Sequence, residues 1–588
     1  MKEFFKMMFA TVAGFIFSAI LLGIFGLIFL FALIAFVTPD QTVNYENGTI
    51  LKVELNYNIP ERSGYGEFNS MNDFFNGFNK RLGLNDIIRS IENAAYDEKI
   101  DAIYLDLNNL NVPGFAAASA IRRSLVDFRE AGKTIFAHGD DISQLGYFIA
   151  TAANKIYLTP TGNIELKGFG ARMMYFKGTL DKLGIEAQIF RKGKFKSAVE
   201  IFSESGMSNA DKEQLSELLK SVQKEYFAKI SESRNISSET LEKLYDDFEI
   251  RTPESALKYK LIDSLCYLPD VFNTIEAKNS IKIKDKILTL KKYSRVPGRI
   301  NESTSNRIAV VYATGEITES PGSENEIGTE NIIEGIKKAV ENRNVKAIVL
   351  RVNSPGGSSL TSDLIWKAVT EAKKTKPVIV SMGSVAASGG YYISCAADSI
   401  VAEYSTITGS IGVFGMIPNV KDFLNNKAGI TVDGINTGKY SDFKSIFRPV
   451  TQKEREFIEE DIDRVYDDFI SRVSEGRNIS KSDVDKIAQG RVWSGADAKE
   501  IGLVDELGGL DKAIEIAAAK AGILSYRILE YPEIEDPFEA IADFFTDEAE
   551  TSYLKYKLGD EYVYYKILKR LKSAEGIKAR LPYELEIY

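Results

Sequence analysis

Histidine is almost missing from this sequence of 588 residues, with His138 as its single copy. That scarcity removes much enzyme chemistry at once. A histidine-based zinc site needs ligands that one histidine and two cysteines at unrelated positions, Cys266 and Cys395, do not supply. A Ser-His-Asp triad would have to run through His138. Acid–base work therefore falls to Lys, Asp, Glu or Tyr. The two cysteines lie too far apart in sequence to make a disulfide scaffold. Cys395 stands in the small-residue run ISCAAD, where a buried apolar role is expected. Net charge is −10 and the acidic excess is spread thinly, so nothing points to a nucleic-acid partner. No cofactor and no metal is expected.

Hydrophobic residues make up 44% of the chain and charged residues 27%, the balance of an ordinary globular protein. A chain of this length divides into several units. One run stands apart from this background: Met7 to Val37 contains no charged residue. A helix needs roughly 20 residues to cross a bilayer. Lys2 and Lys6 precede the run, which puts the N-terminus in the cytoplasm and the rest of the chain outside. A cleaved signal peptide usually has an apolar core of only about 7–15 residues followed by a small-residue cleavage site. No clear site of that kind follows here, so residues 7–37 are expected to be an uncleaved, single-span anchor.

The body of the chain repeats itself. GDDISQLGYFIATAANKIYL from Gly139 matches GSVAASGGYYISCAADSIVA from Gly383. Upstream, NVPGF (Asn111 to Phe115) matches NSPGG (Asn353 to Gly357). Downstream, GKFKS from Gly193 matches GKYSDFKS from Gly438. Each half then carries a long amphipathic helix ending in RNIS. Leu215, Leu218, Leu219, Val222, Tyr226 and Ile230 mark the apolar face of the first, and Ile458, Ile462, Val465, Phe469 and Val473 that of the second. Matched order over this length implies two related domains. Strand, turn and helix alternate in each, which implies largely parallel sheets with right-handed crossovers. The expected plan is a cytoplasmic stub and anchor over 1–40, a first α/β unit over 41–291, a linker over 292–306, a second unit over 307–525, and a tail over 526–588. The tail shows no counterpart in the first half and has no assigned role.

Three small-residue turns of the second half carry the candidate chemistry. Ser388 sits in AASGGYY directly after the strand PVIVSMG, where Ala386, Ala387, Gly389 and Gly390 leave room for a substrate backbone. A serine at such a turn is by itself more often a plain helix cap. Asn353-Ser354-Pro355-Gly356-Gly357 ends another strand, and its glycine N–H groups could form an oxyanion hole. Thr408-Gly409-Ser410-Ile411-Gly412 offers a hydroxyl that could orient a base. The first half has Gln144 in place of Ser388 and VPGF in place of SPGG, so it has kept the plan of the fold and lost the nucleophile. His138 takes the place of Met382 and fits a core or edge role better than that of a base. A lysine must be desolvated, or crowded by other positive charge, to act as a base at neutral pH. Lys196 in GKFKSAVEIF and Lys444 at the matching place of the second half are the two candidates.

The motifs NSPGG, MGSVAASGGYYIS, TITGSIGVFG, FKSAVE and GRVWSGADAKEIGLVDELGG resemble those of the signal peptide peptidase A (protease IV) family in its long, two-domain form. The resemblance covers about residues 1 to 525. It implies two tandem crotonase-like, Clp-protease-like α/β domains after one transmembrane helix, and a serine endopeptidase with a Ser/Lys dyad. The nucleophile maps to Ser388, the base of the long form to Lys196, and the hydroxyl that holds the base to Ser410. The oxyanion donors map to Gly357 and Gly389. Short relatives take their lysine from the domain of the serine, near Lys444, which stays open as the alternative base. The family further implies cleaved signal peptides as substrates and a bowl-shaped homo-oligomer, a tetramer, on the outer face of the bacterial cytoplasmic membrane. Two other readings share parts of this pattern: a crotonase-like acyl-CoA enzyme and a non-catalytic membrane scaffold.

Overall fold

The computed structural model describes residues 2–37, 43–65, 80–279, 286–296, 304–323, 325–533, 557 and 576–580. The apolar run forms one helix, α1 (Lys2–Val37). Its stretch Lys6–Phe25 is long and apolar enough to cross a membrane, and none of it is buried against the rest of the protein. An apolar surface of that extent is unstable in water and stable in lipid.

The first half builds a parallel sheet from β1 (Thr49–Glu54), β2 (Ile100–Asp106), β3 (Thr134–Ile142), β4 (Lys155–Ile164), β6 (Ser264–Leu265) and β7 (Ile287–Thr289), in the order β6-β4-β3-β2-β1-β7. β5 (Glu186–Lys192) leaves this sheet and serves elsewhere. The second half repeats the plan with β8 (Arg307–Thr314), β11 (Val345–Ser354), β13 (Val378–Ala387), β15 (Ile407–Gly409), β17 (Val492–Ser494) and β19 (Arg527–Tyr531), in the order β17-β15-β13-β11-β8-β19. β14 (Ser399–Ala402) pairs with β13 and with β18 (Glu506–Leu507). The central strand β11 is buried along nearly its whole length. That explains why VKAIVLRV reads as a continuous apolar run rather than an alternating one.

The repeat extends to single hydrogen bonds. Helix α2 (Gln144–Ala150) sends the Tyr147 hydroxyl to the Leu261 carbonyl at 2.8 Å, and its counterpart α4 (Gly389–Ser394) sends Tyr391 to Leu503 at 2.9 Å. The long helices α3 (Asn209–Arg234) and α5 (Gln452–Arg477) are capped by Ser208 and Thr451. Both end on an asparagine in the left-handed region, Asn235 at φ 55° and Asn478 at φ 54°. This is the reason for the repeated RNIS: asparagine tolerates that conformation better than other side chains with a Cβ. The arginine before each cap then reaches an aspartate on the following strand segment, Arg234 to Asp263 and Arg477 to Asp505. These are two α/β units of the expected class, in tandem after one apolar helix.

The second unit runs further than the sequence suggests. β19 pairs in parallel with β8, the position that β7 takes beside β1. The start of the expected tail therefore has a counterpart in the first half. The strands ILT and RILEY are too short and too different for the match to show in sequence. Most of the remaining tail, and part of the expected linker, lie outside the described residues.

A third sheet joins the halves. β9 (Glu316–Ile317), β10 (Glu326–Ile327), β12 (Gly356–Ser358), β16 (Val413–Asn419) and β20 (Gly576–Arg580) assemble with β5 of the first half in the order β10-β9-β12-β20-β16-β5. β5 and β16 pair antiparallel from Val413 opposite Lys192 to Asn419 opposite Glu186. Two ion pairs add to the seam. Arg351 reaches Glu61 at 2.9 Å with both side chains buried, and Arg123 grips both carboxylate oxygens of Glu403 at 2.9 and 2.8 Å.

Candidate active site

Ser388 follows the last residue of β13 and precedes the first residue of α4. Its backbone takes φ 56° and ψ −114°, a conformation that a residue with a Cβ rarely adopts. Such a residue stores on the order of 1–3 kcal/mol of strain, which the surrounding pairing must hold. Here β13 pairs with β15 up to Ala387 opposite Gly409, and the Ser388 N–H donates to the Gly409 carbonyl at 2.8 Å. The consequence separates Ser388 from an ordinary cap. Ser143, Ser208, Ser358 and Ser494 each turn their hydroxyl back to an N–H of the helix that follows. Ser388 does not, and its Oγ is aimed elsewhere.

It is aimed at Lys196. The Nζ lies 2.7 Å from Ser388 Oγ, 3.0 Å from the Ser410 carbonyl oxygen and 3.0 Å from Ser410 Oγ. Lys196, Ser388 and Ser410 are each 0% exposed. No carboxylate is among these partners, so nothing compensates a charge on the amine. Burial pushes the Lys196 pKa well below the ordinary 10.5. Three oxygens surround Nζ, and if the amine is neutral two N–H groups serve the Ser410 oxygens while the lone pair faces the Ser388 hydroxyl.

Lys196 belongs to the first half, yet the second half holds its backbone. Its segment leaves β5 through Gly193, at φ 114°, and the Phe195 N–H donates to the Gln489 carbonyl at 2.8 Å. Gly490, at φ 78°, packs so closely that an added Cβ would stand 2.6 Å from the Lys196 backbone nitrogen. On the other side Gln214 of α3 donates to the Phe195 carbonyl at 3.1 Å and to Ser197 Oγ at 3.0 Å. Gln214 also accepts from the Val492 N–H at 3.2 Å, which ties both halves to one side chain. Ser197 in turn donates to Asp211 at 2.6 Å. Gln214 and Asp211 escaped sequence reading because they sit on an amphipathic helix among other polar residues. The run GRVW at Gly490 was visible as a motif without a visible reason. Its glycine packs on the Lys196 backbone, its Val492 N–H donates to Gln214, and the carbonyl of the preceding Gln489 accepts from Phe195.

Gly357 and Gly389 lie at the same spot. A Cβ on Gly356 would stand 2.7 Å from the Gly389 nitrogen, so β12 and the start of α4 meet there. Gly357 takes φ 155°, and a Cβ on it would run into the Ile317 carbonyl. As the first residue of α4, Gly389 has an N–H without a partner inside the helix. The six-residue α4 is too short for a large macrodipole, so these individual N–H groups matter more than the helix as a whole.

The remaining sequence candidates fall elsewhere. Lys444 is exposed, on the segment between β16 and α5, with its Nζ 5.2 Å from the centre of the Phe443 ring. His138 is buried within the first sheet, near the Cys266 carbonyl at 3.2 Å and the Thr159 hydroxyl at 3.3 Å. Burial lowers its pKa. Cys395 is buried and donates to the Tyr392 carbonyl at 3.2 Å. At the degenerate position of the first half, Gln144 accepts from the Lys167 and Gly168 N–H groups, both at 3.1 Å. A side-chain amide there closes on its own loop.

Comparison with known proteins gives the family. Residues 127–282 and 370–524, one stretch in each half, match the model of Peptidase family S49. Protease 4 of Haemophilus influenzae is 35% identical over 455 residues, covering 74% of this chain and 73% of that protein. Protease 4 of Salmonella typhi is 36% identical over 471 residues, covering 79% and 76%. The chloroplastic serine protease SPPA of Arabidopsis thaliana is 32% identical over 517 residues, covering 86% and 75%. With a match in each half and likeness over most of the chain, this chain belongs to Peptidase family S49 and is a serine peptidase.

Proposed function

We propose that Ser388 is the nucleophile and Lys196 its general base, with Ser410 holding the amine and the N–H groups of Gly357 and Gly389 forming the oxyanion hole. The observation that carries this reading is a fully buried lysine 2.7 Å from Ser388 Oγ with no acidic partner. A neutral Nζ takes the Ser388 proton as Oγ attacks the peptide carbonyl. The two glycine N–H groups hold the charge on the carbonyl oxygen. The ammonium formed at Lys196 donates to the Ser410 oxygens and then to the leaving amine, and water resolves the acyl-enzyme. No observation favours Lys444 for this role, since it is exposed.

We assign cleaved signal peptides as the substrates, on the family resemblance and on a site tethered to the membrane by α1. The two lysines before the apolar run support an outward-facing body at the bacterial cytoplasmic membrane. A homo-oligomer is supported by the segment after β16, which leaves Ile430, Val432, Ile435 and Phe447 exposed, and the tetramer only by the family resemblance. The test uses the full chain in detergent, a fluorophosphonate probe and a quenched peptide. Ser388→Ala is expected to lose labelling and turnover, Lys196→Ala to lose turnover, and Lys444→Ala to keep both. Full turnover by a folded Lys196→Ala variant would refute the assignment of the base.

A further inference from the structure

One stretch of this acidic chain is strongly basic. Residues 278–299 hold eight lysines and arginines and one acid, Asp285, a net charge of +7 in a chain whose net charge is −10. The duplication shows that the fold does not require this charge. β7 lies beside β1 as β19 lies beside β8, with Ile287 opposite Ile50 and Ile528 opposite Ile308. The matching stretch of the second half, residues 519–540, holds two basic residues and five acids. The same structural position is therefore +7 in one half and −3 in the other. The halves differ in a second respect: only the first follows directly on the apolar run.

The basic stretch is fastened to the residues at which the chain arrives from α1. The apolar run ends at Val37, and the described body begins at Val43. The steps between them span at most about 21 Å when fully extended. Tyr45 packs edge-on to Tyr293 with ring centres 5.9 Å apart, and both hydroxyls donate to Asp97, at 2.5 and 3.0 Å. Lys286 donates to the Asn47 carbonyl at 2.8 Å, and its own carbonyl accepts from the Ile50 N–H at 2.8 Å. Lys99, Lys291, Lys292 and Arg295 are exposed around this junction, and the Lys99 Nζ stands 5.0 Å from the centre of the Tyr45 ring. Burial pushes the Lys291 pKa down, and the charge of Arg295 adds to the push. Of the acids on these segments, Asp97 is bound by the two tyrosines, while Glu46 and Glu98 are exposed. Tyr96 is 63% exposed, an amphipathic ring of the kind that seats at headgroup level.

We infer that this edge of the first half, built from Lys99, Lys286, Lys291, Lys292 and Arg295, docks on the anionic phospholipid headgroups of the membrane that holds α1. The inference rests on α1 spanning that membrane and not on the assignment of the dyad. Clusters of about four to eight lysines and arginines held next to a spanning helix bind anionic headgroups. Such attraction dies away within a Debye length, about 8 Å at physiological salt, so the face must come onto the surface to feel it. The short tether keeps the face within reach, and the contact selects which edge of the body turns to the lipid. The basic stretch begins about 240 residues beyond the apolar run, too far along the chain to set the orientation of the anchor. Its charge is therefore left for a role in the folded protein.

The experiment places the full chain in nanodiscs of phosphatidylcholine, alone or mixed with phosphatidylglycerol. Peptide mass spectrometry reads the acetylation of single lysines by an uncharged amine reagent. With phosphatidylglycerol at low salt, labelling of Lys291 and Lys292 is expected to fall by on the order of fivefold. High salt is expected to restore it. Lys367, exposed on the second half, is expected to label equally in both discs. A variant carrying Lys291→Glu and Lys292→Glu is expected to keep wild-type peptide turnover in detergent and to lose the lipid-dependent fall at Lys99. Equal labelling of Lys291 and Lys292 in the two discs overturns the inference, and so does a fall of the same size at Lys367 or one at Lys99 that survives the double variant. Protection by added polyglutamate, with none from phosphatidylglycerol, would make the face a dock for an acidic polypeptide and overturns it as well. A chain that enters neither disc would instead overturn the anchor beneath it.

Discussion

Lys196→Met replaces the amine with an unbranched apolar chain of similar length, and the structure fixes two separate consequences. The first is catalytic. Loss of a positioned general base lowers the rate by about 10²–10⁴-fold. That is about 3–5 kcal/mol of transition-state stabilisation. The second concerns stability and has a definite sign. In the folded protein, burial holds the Lys196 pKa well below 10.5. In the unfolded chain the amine is solvated and titrates near about 10.4. Between those two pKa values the unfolded state binds the extra proton, so wild-type stability rises with pH across the window. The slope is about 1.4 kcal/mol per pH unit. Methionine has no proton to lose, so the variant lacks this slope. The stranded Ser388 and Ser410 hydroxyls cost the variant about 1–3 kcal/mol each, but that penalty does not depend on pH. It displaces the whole curve and leaves the slope alone. Urea unfolding in detergent from pH 6 to pH 10 reads the difference directly. At the acid end the variant gains on wild type, and toward pH 10 the gain disappears. Parallel stability curves for the two proteins would mean that Lys196 is not neutral in the fold, and the proposed mechanism would fail with it.

Three other perturbations test the frame around the dyad. Gly490→Ala puts a Cβ 2.7 Å from that of Lys196 on a backbone at φ 78°, so the lysine loop must move. A shift of about 1 Å at a reacting group costs on the order of 10²-fold, so kcat is expected to fall that far with KM little changed. Glu61→Ala leaves Arg351 buried with Ser381 and Met382 as its remaining partners, and chemical denaturation is expected to show a loss of about 3–5 kcal/mol; an unchanged midpoint would remove this pair from the seam. Burial pushes the Glu225 carboxyl up to about 7, against the hydrogen bond it accepts from Ser119. Its folded pKa is raised, so the charged form destabilises the fold as pH climbs from about 4.3 toward 7. Glu225→Gln is expected to match wild type near pH 4 and to be more stable by on the order of 3 kcal/mol above pH 8, read by thermal unfolding at both pH values.

The sequence carried the repeat, the apolar helix and the turn at Ser388 because each is local. An apolar run, a helical period and a cluster of glycines are written in neighbouring residues. Lys196 was one of two lysine candidates, and the difference between them is not local. FKS occurs in both halves, and only burial separates a lysine under the second half from an exposed one at Lys444. The supports of the site were illegible for the same reason. Gln214 looks like a polar residue on an amphipathic helix until its amide is found bridging Phe195 and Val492. The same holds for Glu61, whose partner Arg351 is hundreds of residues away. β20 left the least trace of all, since the alternation of Ile577, Lys578, Ala579 and Arg580 is too short to announce a strand.

Duplication would explain why the proposed dyad is divided. A second copy of the fold has no need of a second nucleophile, and Gln144 now spends its amide on the N–H groups of its own loop. Freed from forming a site, the first copy could send β5 across to pair with β16 and carry Lys196 over Ser388. Desolvation then follows from the arrangement itself. Here the seam between the units excludes water from Lys196, which is fully buried. The chemistry and the association of the halves are therefore one property. Whatever opens the β5–β16 pairing wets the amine, favours its charged form and so removes the proposed base from Ser388 in a single step.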